Sequence, residues 1–116
     1  MKILLSIKPE FAERIFDGTK RFEFRKAVHA NREVRTVVVY VTRPVGRIVG
    51  EFEVAGITEA APSSLWEKTQ EFAGVSREFF DEYFLGRERG YAIHIGYVTR
   101  YETPVVPEDV IDNFTP

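Results

Sequence analysis

The first part of the chain changes from an extended to a helical and back to an extended pattern of hydrophobic and polar positions. Residues 5–26 predict a strand, a short helix and a second strand. Pro9 suits the first position of that helix, and Gly18 suits the left-handed residue that ends it. Beyond the helix, phenylalanines alternate with charged residues, the period of a strand. Glu23 and Arg25 therefore project from the same face of that strand.

Further strand patterns occur in the middle and at the end of the chain. Residues 36–42 are β-branched on both faces, which is typical of a strand that is covered on both sides. Residues 47–57 alternate between apolar and charged side chains, with Gly50 at a position that often marks a bend or a bulge. Residues 91–98 predict another strand, which residues 100–106 either continue or pair with.

Between these strands the pattern becomes helical. We expect one helix over residues 62–74, where Ser64 and Glu67 have the spacing of a capping box. A second helix is expected over residues 76–86, beginning at Ser76. Its apolar positions recur every three to four residues, so that one side of it faces a core.

This order of elements indicates the α+β class. A short helix follows the first strand, and a helical pair precedes the last strands. We expect the five or six strands to form a small, mostly antiparallel β-barrel, with the helices covering its ends or one side. At 116 residues the chain has room for one hydrophobic core, so residues 1–116 are interpreted as a single domain.

Composition narrows the classes of function. The chain has no cysteine and only two histidines, which excludes disulfides and thiolate zinc sites and disfavours a histidine-built metal centre. No run approaches the roughly 18 apolar residues of a membrane helix, and no leader pattern is present. We therefore expect a cytoplasmic protein with no membrane, metal or cofactor partner. The composition leaves the oligomeric state open.

Charge is unevenly distributed along the chain. Residues 1–50 contain 11 Lys and Arg against 5 Asp and Glu, a net charge of +6. Residues 51–116 contain 5 against 13, a net charge of −8, so the whole chain carries −2. The acidic second half argues against non-specific coating of duplex nucleic acid, whereas a basic face from the first half is compatible with a phosphate-bearing ligand. Alternatively, the two halves neutralise each other across the domain.

Four charged residues near the first helix are the main candidates for chemistry. Lys8 lies where the first strand meets the helix, so it and the helix N-terminus are a candidate anion site. Lys20 is a candidate phosphate ligand or, if desolvated, a catalytic base or nucleophile. Glu23 is a candidate general acid or base, and Arg25 a candidate for forked contacts to phosphate or a base edge. The alternatives are a solvated lysine and a structural Glu23–Arg25 ion pair.

Other candidates carry weaker signals. Thr42 and Arg43 lie at a strand end before a turn, and Tyr91 follows Gly90 at a strand start; all three are candidate ligand contacts. An exposed arginine without function is the alternative for Arg43. The aromatic residues of the helical pair are interpreted as core rather than as a stacking platform: Trp66, Phe79, Phe80, Tyr83 and Phe84. His29, in the polar loop after the second strand, has no partner that the sequence identifies.

Several short motifs occur together along the chain: Ser6-Ile7-Lys8-Pro9, Ile15, Gly18-x-Lys20, Glu23-x-Arg25, Pro44-Val45, Ile48-Val49-Gly50, Phe52, Leu65-Trp66, Ala73-Gly74-Val75-Ser76, Phe80, Tyr83-Phe84 and Gly90-Tyr91-Ala92-Ile93. Together they resemble a known family, the ASCH domain (activating signal cointegrator homology) family of the PUA-like superfamily. The later motifs are similar to a stand-alone prokaryotic branch described as transcriptional regulators.

The resemblance implies a cleft between the barrel and the first helix that suits RNA, nucleotides or modified nucleosides. Some small ASCH proteins deacylate modified cytidine, and a relative cleaves RNA. In the deacylating branch the lysine that matches Lys20 is catalytic. That branch uses a threonine where this chain has Glu23, which argues against deacylation here. Its catalytic glutamate lies in the later helical region, where Glu67 and Glu71 are candidates.

Three hypotheses follow. The leading one is an RNA-, nucleotide- or modified-nucleoside-binding module with a basic cleft, for which regulation is one use. The second is a small hydrolase, an acylcytidine amidohydrolase or a ribonuclease, that uses Lys20. The third is a protein-interaction domain that uses the acidic helical half.

Overall fold

Five strands and three helices make up the computed structural model, which describes residues 1–28 and 33–110. The strands are β1 (Lys2–Ile7), β2 (Phe22–Arg25), β3 (Thr36–Val41), β4 (Arg47–Ala60) and β5 (Gly90–Val105). The helices are α1 (Pro9–Asp17), α2 (Pro62–Thr69) and α3 (Arg77–Tyr83). Short 3-10 turns follow at Gln70–Phe72 and Pro107–Asp109. His29 lies outside the described residues.

The strands form one open, mixed sheet in the order β1-β3-β4-β5-β2. The β1–β3 pair is parallel, and the three other pairs are antiparallel. Long β4 and β5 pair along most of their length through several register shifts, which bend a sheet. The two edge strands approach each other at one point, where the Arg25 side chain on β2 donates a 3.0 Å hydrogen bond to the Ser6 carbonyl of β1.

The predicted closed barrel is therefore wrong, although the α+β class is confirmed. Closure requires β1 and β2 to pair, and the connection through α1 instead sends β2 to the far edge, beside β5. The arrangement of the helices also differs from the prediction. The helical pair precedes one long strand rather than several, because residues 100–106 continue β5 to Val105 without a turn.

The ends of α1 and the start of α3 follow the sequence prediction. Pro9 occupies the first turn of α1, and Gly18 closes it with a left-handed φ of 88°. At α3, the Ser76 side chain accepts a 3.0 Å hydrogen bond from the Phe79 amide, as an N-cap should.

The prediction for α2 was less accurate. The helix starts at Pro62 after Ala61, which has no side chain able to cap it, so the expected capping box at Ser64 and Glu67 does not form the N-terminus. The helix also ends earlier than expected, at Thr69, and a 3-10 turn follows it at Gln70–Phe72. Gly74, with a φ of 68°, lies beyond both and turns the chain towards α3.

Two hydrophobic clusters stabilise the domain. The first packs α1 against the sheet and includes Ile7, Ile15 and Phe52. The second packs α2 and α3 around Phe24 and Phe80. Phe24 on β2 belongs to the second cluster, and the charged residues Lys20, Glu23 and Arg25 lie beside it.

Candidate functional site

A pocket of about 130 Å³ lies where the end of β1, the start of α1, β2 and α3 come together. Its lining combines charged and aromatic groups: Ser6, Ile7, Lys8, Phe11, Lys20, Glu23, Phe24, Arg25, Val75, Phe79 and Tyr83. Lys8, Lys20, Glu23 and Arg25, the four main candidates from the sequence, all contribute to it. The volume is small beside the roughly 300–1,000 Å³ of pockets that enclose a whole small molecule. The pocket therefore has room for one chemical group rather than for a whole small molecule.

Local backbone geometry buries Lys20 at this site. After the Gly18 cap, the Lys20 amide donates a 2.9 Å hydrogen bond to the Arg14 carbonyl, which folds the chain back against α1. The side chain then runs past Gly74 so closely that a Cβ there would overlap its Cβ and Cγ. The Gly74 carbonyl accepts a 2.8 Å hydrogen bond from Arg14. Only 1% of Lys20 is exposed as a result.

The Lys20 ammonium group has few polar partners. Its Nζ donates a 2.9 Å hydrogen bond to the Ala73 carbonyl and lies 4.9 Å from the centre of the Phe24 ring. The Glu23 carboxylate is 3.8 Å away, which makes the pair an electrostatic contact rather than a hydrogen bond. Burial lowers the pKa of Lys20 from 10.5 to about 8, with Glu23 opposing this shift and Arg14 adding to it. Lys20 can therefore gain or lose a proton near neutral pH.

Glu23 and Arg25 lie side by side on β2, as the alternation predicted. The Arg25 Nη2 is 3.0 Å from the Glu23 Oε2 and also donates to the Ser6 carbonyl. The buried Arg25 Nε has no hydrogen-bond partner among the described residues. Glu23 is itself buried and lies between the cations of Lys20 and Arg25. Its one negative charge attracts both cations but does not balance their combined positive charge.

Lys8 lies at the mouth of the pocket. It is the N-cap residue of α1, and its carbonyl accepts the first hydrogen bonds of the helix, from the amides of Phe11 and Ala12. Its exposed ammonium group lies 5.2 Å from the centre of the Phe79 ring. The positive end of the α1 dipole and this ammonium group thus point to the same side of the pocket, where an anion is favoured.

The other three predicted site residues do not line the pocket. Thr42 is next to it, since its amide donates a 3.0 Å hydrogen bond to the Ile7 carbonyl. Arg43 is exposed in the following turn. Tyr91 is half-buried and pairs in register with Arg25 across β2 and β5.

The sequence prediction missed the aromatic wall of the pocket. Trp66, Phe80 and Phe84 belong to the second hydrophobic cluster, as expected. Phe79 and Tyr83, which were also interpreted as core, are only half-buried and line the pocket. Burial raises the pKa of Tyr83, so its phenol stays neutral. The sequence contained a signal for this. Adjacent residues of a helix point in different directions, so the pairs Phe79-Phe80 and Tyr83-Phe84 cannot all face the core.

Neither a metal-binding cluster nor a membrane-spanning helix is observed in the described part of the chain. Residues 1–28 and 33–110 contain no group of three or more His, Asp or Glu side chains that could hold a metal ion. No helix within these residues is long and apolar enough to cross a membrane.

Comparison with known proteins decides the family. The family model of the ASCH domain matches residues 5–105, almost the whole chain. The chain belongs to the ASCH domain family. The pocket of this ASCH domain thus lies where the motifs Gly18-x-Lys20 and Glu23-x-Arg25 meet the end of β1.

The chain is similar to parts of several named proteins. The ribosomal protein uL22 of Ureaplasma parvum is 32% identical over 88% of this chain, but the chain spans only 33% of that relative. An ASCH domain-containing ribonuclease of Zymomonas mobilis is 28% identical over 97% of this chain and 78% of the relative. The crystal structure of the ASCH protein from Zymomonas mobilis matches with a TM-score of 0.90 at 27% identity, over 97% of this chain and 80% of that one.

Proposed function

We propose that this ASCH domain binds single-stranded RNA, or a nucleotide or modified nucleoside, through the pocket around Lys20. The observation that carries the proposal is the group of three cations, Lys8, Lys20 and Arg25, around a single carboxylate in one small pocket. With Lys20 protonated, the four groups have a net charge of +2, which attracts an anionic ligand despite the overall charge of −2.

The geometry favours nucleic acid over a simple anion. The pocket combines these cations with Phe11, Phe79 and Tyr83, so a ligand with a phosphate and a flat aromatic group would use both walls. RNA presents both groups when its bases are unpaired. The relative named as a ribonuclease, which aligns along 97% of this chain, supports RNA as the ligand.

The direct test is the affinity for a fluorescently labelled, unstructured RNA oligonucleotide, measured by anisotropy. Lys20→Met replaces the buried ammonium group by an apolar side chain of similar length, whereas reversal to glutamate would bury a negative charge beside Glu23 and endanger the fold. We expect Lys20→Met to weaken binding about 10-fold or more, since a charge-assisted contact is lost. Lys68→Met, on the exposed side of α2, is the matched control and should bind like the wild type. Equal affinity of both variants would contradict the proposal.

A second candidate function is cleavage of the bound RNA. The observation that favours it is the pKa of about 8 of Lys20, beside a buried carboxylate. A neutral amine at this position could accept the proton of an RNA 2′-hydroxyl, with Glu23 as the companion acid or base. Cleavage would then increase with pH up to about 8 as the amine loses its proton, whereas RNA binding would weaken over the same range.

The two candidates are separated by incubating the protein with labelled single-stranded RNA and, in parallel, with N-acylated cytidine. Products from RNA that are absent with Lys20→Met would establish the ribonuclease, and products from acylcytidine the amidohydrolase. Binding without any product would leave the binding module, for which regulation of transcripts is one use. Failure of all these ligands would favour the protein-interaction hypothesis.

A further inference from the structure

One face of α3 presents two aromatic rings to the pocket. Phe79 and Tyr83, which we call the aromatic ledge, are one helical turn apart, with ring planes 10° from parallel and centroids 6.2 Å apart. Their neighbours Phe80 and Phe84 are almost completely buried in the second hydrophobic cluster. Helix α3 is therefore attached to the core by one pair of rings and leaves the other pair half-exposed at the pocket.

Each ring of the aromatic ledge has an exposed lysine over it. The Lys8 Nζ lies 5.2 Å from the centroid of Phe79, and the Lys26 Nζ lies 4.9 Å from that of Tyr83. The two lysines come from different elements, the N-cap of α1 and the residue after β2. Cations thus flank the ledge from two separate parts of the fold, and both remain accessible to a ligand.

We propose that the aromatic ledge stacks one unpaired nucleobase of single-stranded RNA, while Lys8 and Lys26 contact phosphates on either side of it. This rests on the function proposed above and specifies the form of the ligand. Stacking of a base on an aromatic ring is stronger than the contact of an exposed ammonium group with that ring. A base can therefore displace the two ammonium groups from the rings. The displaced ammonium groups then contact the phosphates on either side of the base.

The geometry also predicts a preference for single strands. The pocket volume of about 130 Å³ has room for one group rather than for a base pair. In a duplex, both faces of each base are already stacked and cannot reach the ledge. The pocket should therefore discriminate by access to an unpaired base rather than by sequence.

The sharpest test changes the ligand and leaves the protein intact. Affinities are measured for a short oligouridylate, for an abasic ribose-phosphate oligomer of the same length and for the duplex form. We expect the abasic oligomer and the duplex each to bind about 10-fold more weakly than the oligouridylate. Equal binding of the abasic oligomer would overturn the ledge but leave the proposed function intact. No binding of any oligomer would remove both the ledge and single-stranded RNA as the ligand of the proposed function.

A matched pair of variants tests the same inference from the side of the protein. Phe79→Leu should weaken binding of oligouridylate about 10-fold and leave binding of the abasic oligomer unchanged. Phe72→Leu is the control, because Phe72 is 42% exposed outside the pocket and also has a cation, Arg21, near its ring. The circular dichroism spectrum of each variant shows whether it is folded.

The contribution of Lys26 has its own readout. Lys26→Ala should reduce the dependence of affinity on salt by about one phosphate contact, since each neutralised phosphate releases a counterion. Lys68→Ala should leave the salt dependence unchanged. An unchanged salt dependence in Lys26→Ala, or a loss in Phe72→Leu equal to that in Phe79→Leu, would overturn the inference.

Discussion

Two small polar clusters in this domain each contain a lysine–glutamate pair, but they differ in how far the lysine is buried. The pocket cluster consists of Lys20, Glu23 and Arg25. The surface cluster consists of Lys2 on β1, Glu51 on β4 and Tyr101 on β5. Its lysine–glutamate pair is the shorter of the two, 3.1 Å between Lys2 Nζ and Glu51 Oε1 against 3.8 Å between Lys20 Nζ and Glu23 Oε1. Yet the Lys2 side chain is 60% exposed, and Lys20 is 1% exposed.

The pKa values show what burial changes. In the surface cluster, the hydrogen bond from Tyr101 lowers the pKa of Glu51, and burial raises the pKa of Tyr101 to about 12. Both pKa values move away from neutrality, so the charge states of the two groups are fixed near neutral pH. In the pocket cluster, burial brings the pKa of Lys20 towards neutrality, to about 8. Desolvation, rather than short distance, thus makes a lysine available for proton transfer.

The largest expected effect comes from the residue that confines Lys20. In Gly74→Ala, the new methyl group overlaps the Lys20 side chain, and the φ of 68° is unfavourable for alanine. The two terms together predict a loss of roughly 2–5 kcal/mol in the free energy of unfolding. Urea unfolding followed by the fluorescence of the single tryptophan, Trp66, measures it.

Gly86→Ala is the control for this prediction. Gly86 has a similar φ of 78°, but a Cβ there would have no neighbour within 4 Å. We expect it to lose only about 1–2 kcal/mol, from the backbone term alone. Equal losses in the two variants would show that the space around Lys20 is not tightly packed, and the account of its burial would be wrong.

The second prediction concerns the dependence of stability on pH. In the unfolded chain Lys20 loses its proton near its ordinary pKa of 10.5, and in the folded protein near 8. Between these values the unfolded chain binds the additional proton, so the free energy of unfolding rises with pH. The shift corresponds to about 3 kcal/mol. We expect the wild type to gain up to this amount relative to Lys20→Met between pH 7 and 10.5.

Lys2→Met is the matched substitution in the surface cluster. The Lys2 side chain is 60% exposed, so its removal takes away no buried charge and should change the free energy of unfolding by less than about 1 kcal/mol. Both comparisons use urea unfolding at a series of pH values. A flat difference between wild type and Lys20→Met would mean that Lys20 is better solvated than its position indicates.

Much of the local structure was predictable from the sequence, because it depends on neighbouring residues. Pro9 and Gly18 mark the ends of α1, and Ser76 caps α3. The closed barrel was wrong because pairing of strands is not local. Nothing in residues 22–25 indicates that β2 pairs with β5, 66 or more residues further on, rather than with β1.

For the candidate site, alternation on β2 correctly placed Glu23 and Arg25 on one face, beside Lys20. The degree of burial was not predictable, since it depends on Ala73 and Gly74 from the distant segment before α3. The aromatic ledge was missed for a similar reason. Core and pocket rings alternate along α3, and only the position of the helix in the fold distinguishes Phe79 from Phe80.

The smallest expected effect belongs to the surface cluster. Tyr101→Phe removes the 2.7 Å hydrogen bond to Glu51 and should cost about 1 kcal/mol at pH 7. The bond lowers the pKa of Glu51 from its ordinary value of 4.5, so its contribution is present above that pH and is lost as the carboxyl becomes protonated. The difference between wild type and Tyr101→Phe should therefore shrink at acidic pH, as urea unfolding can show. A difference that persists there would arise from packing of the ring, and the surface cluster would then owe its stability to contacts that do not titrate.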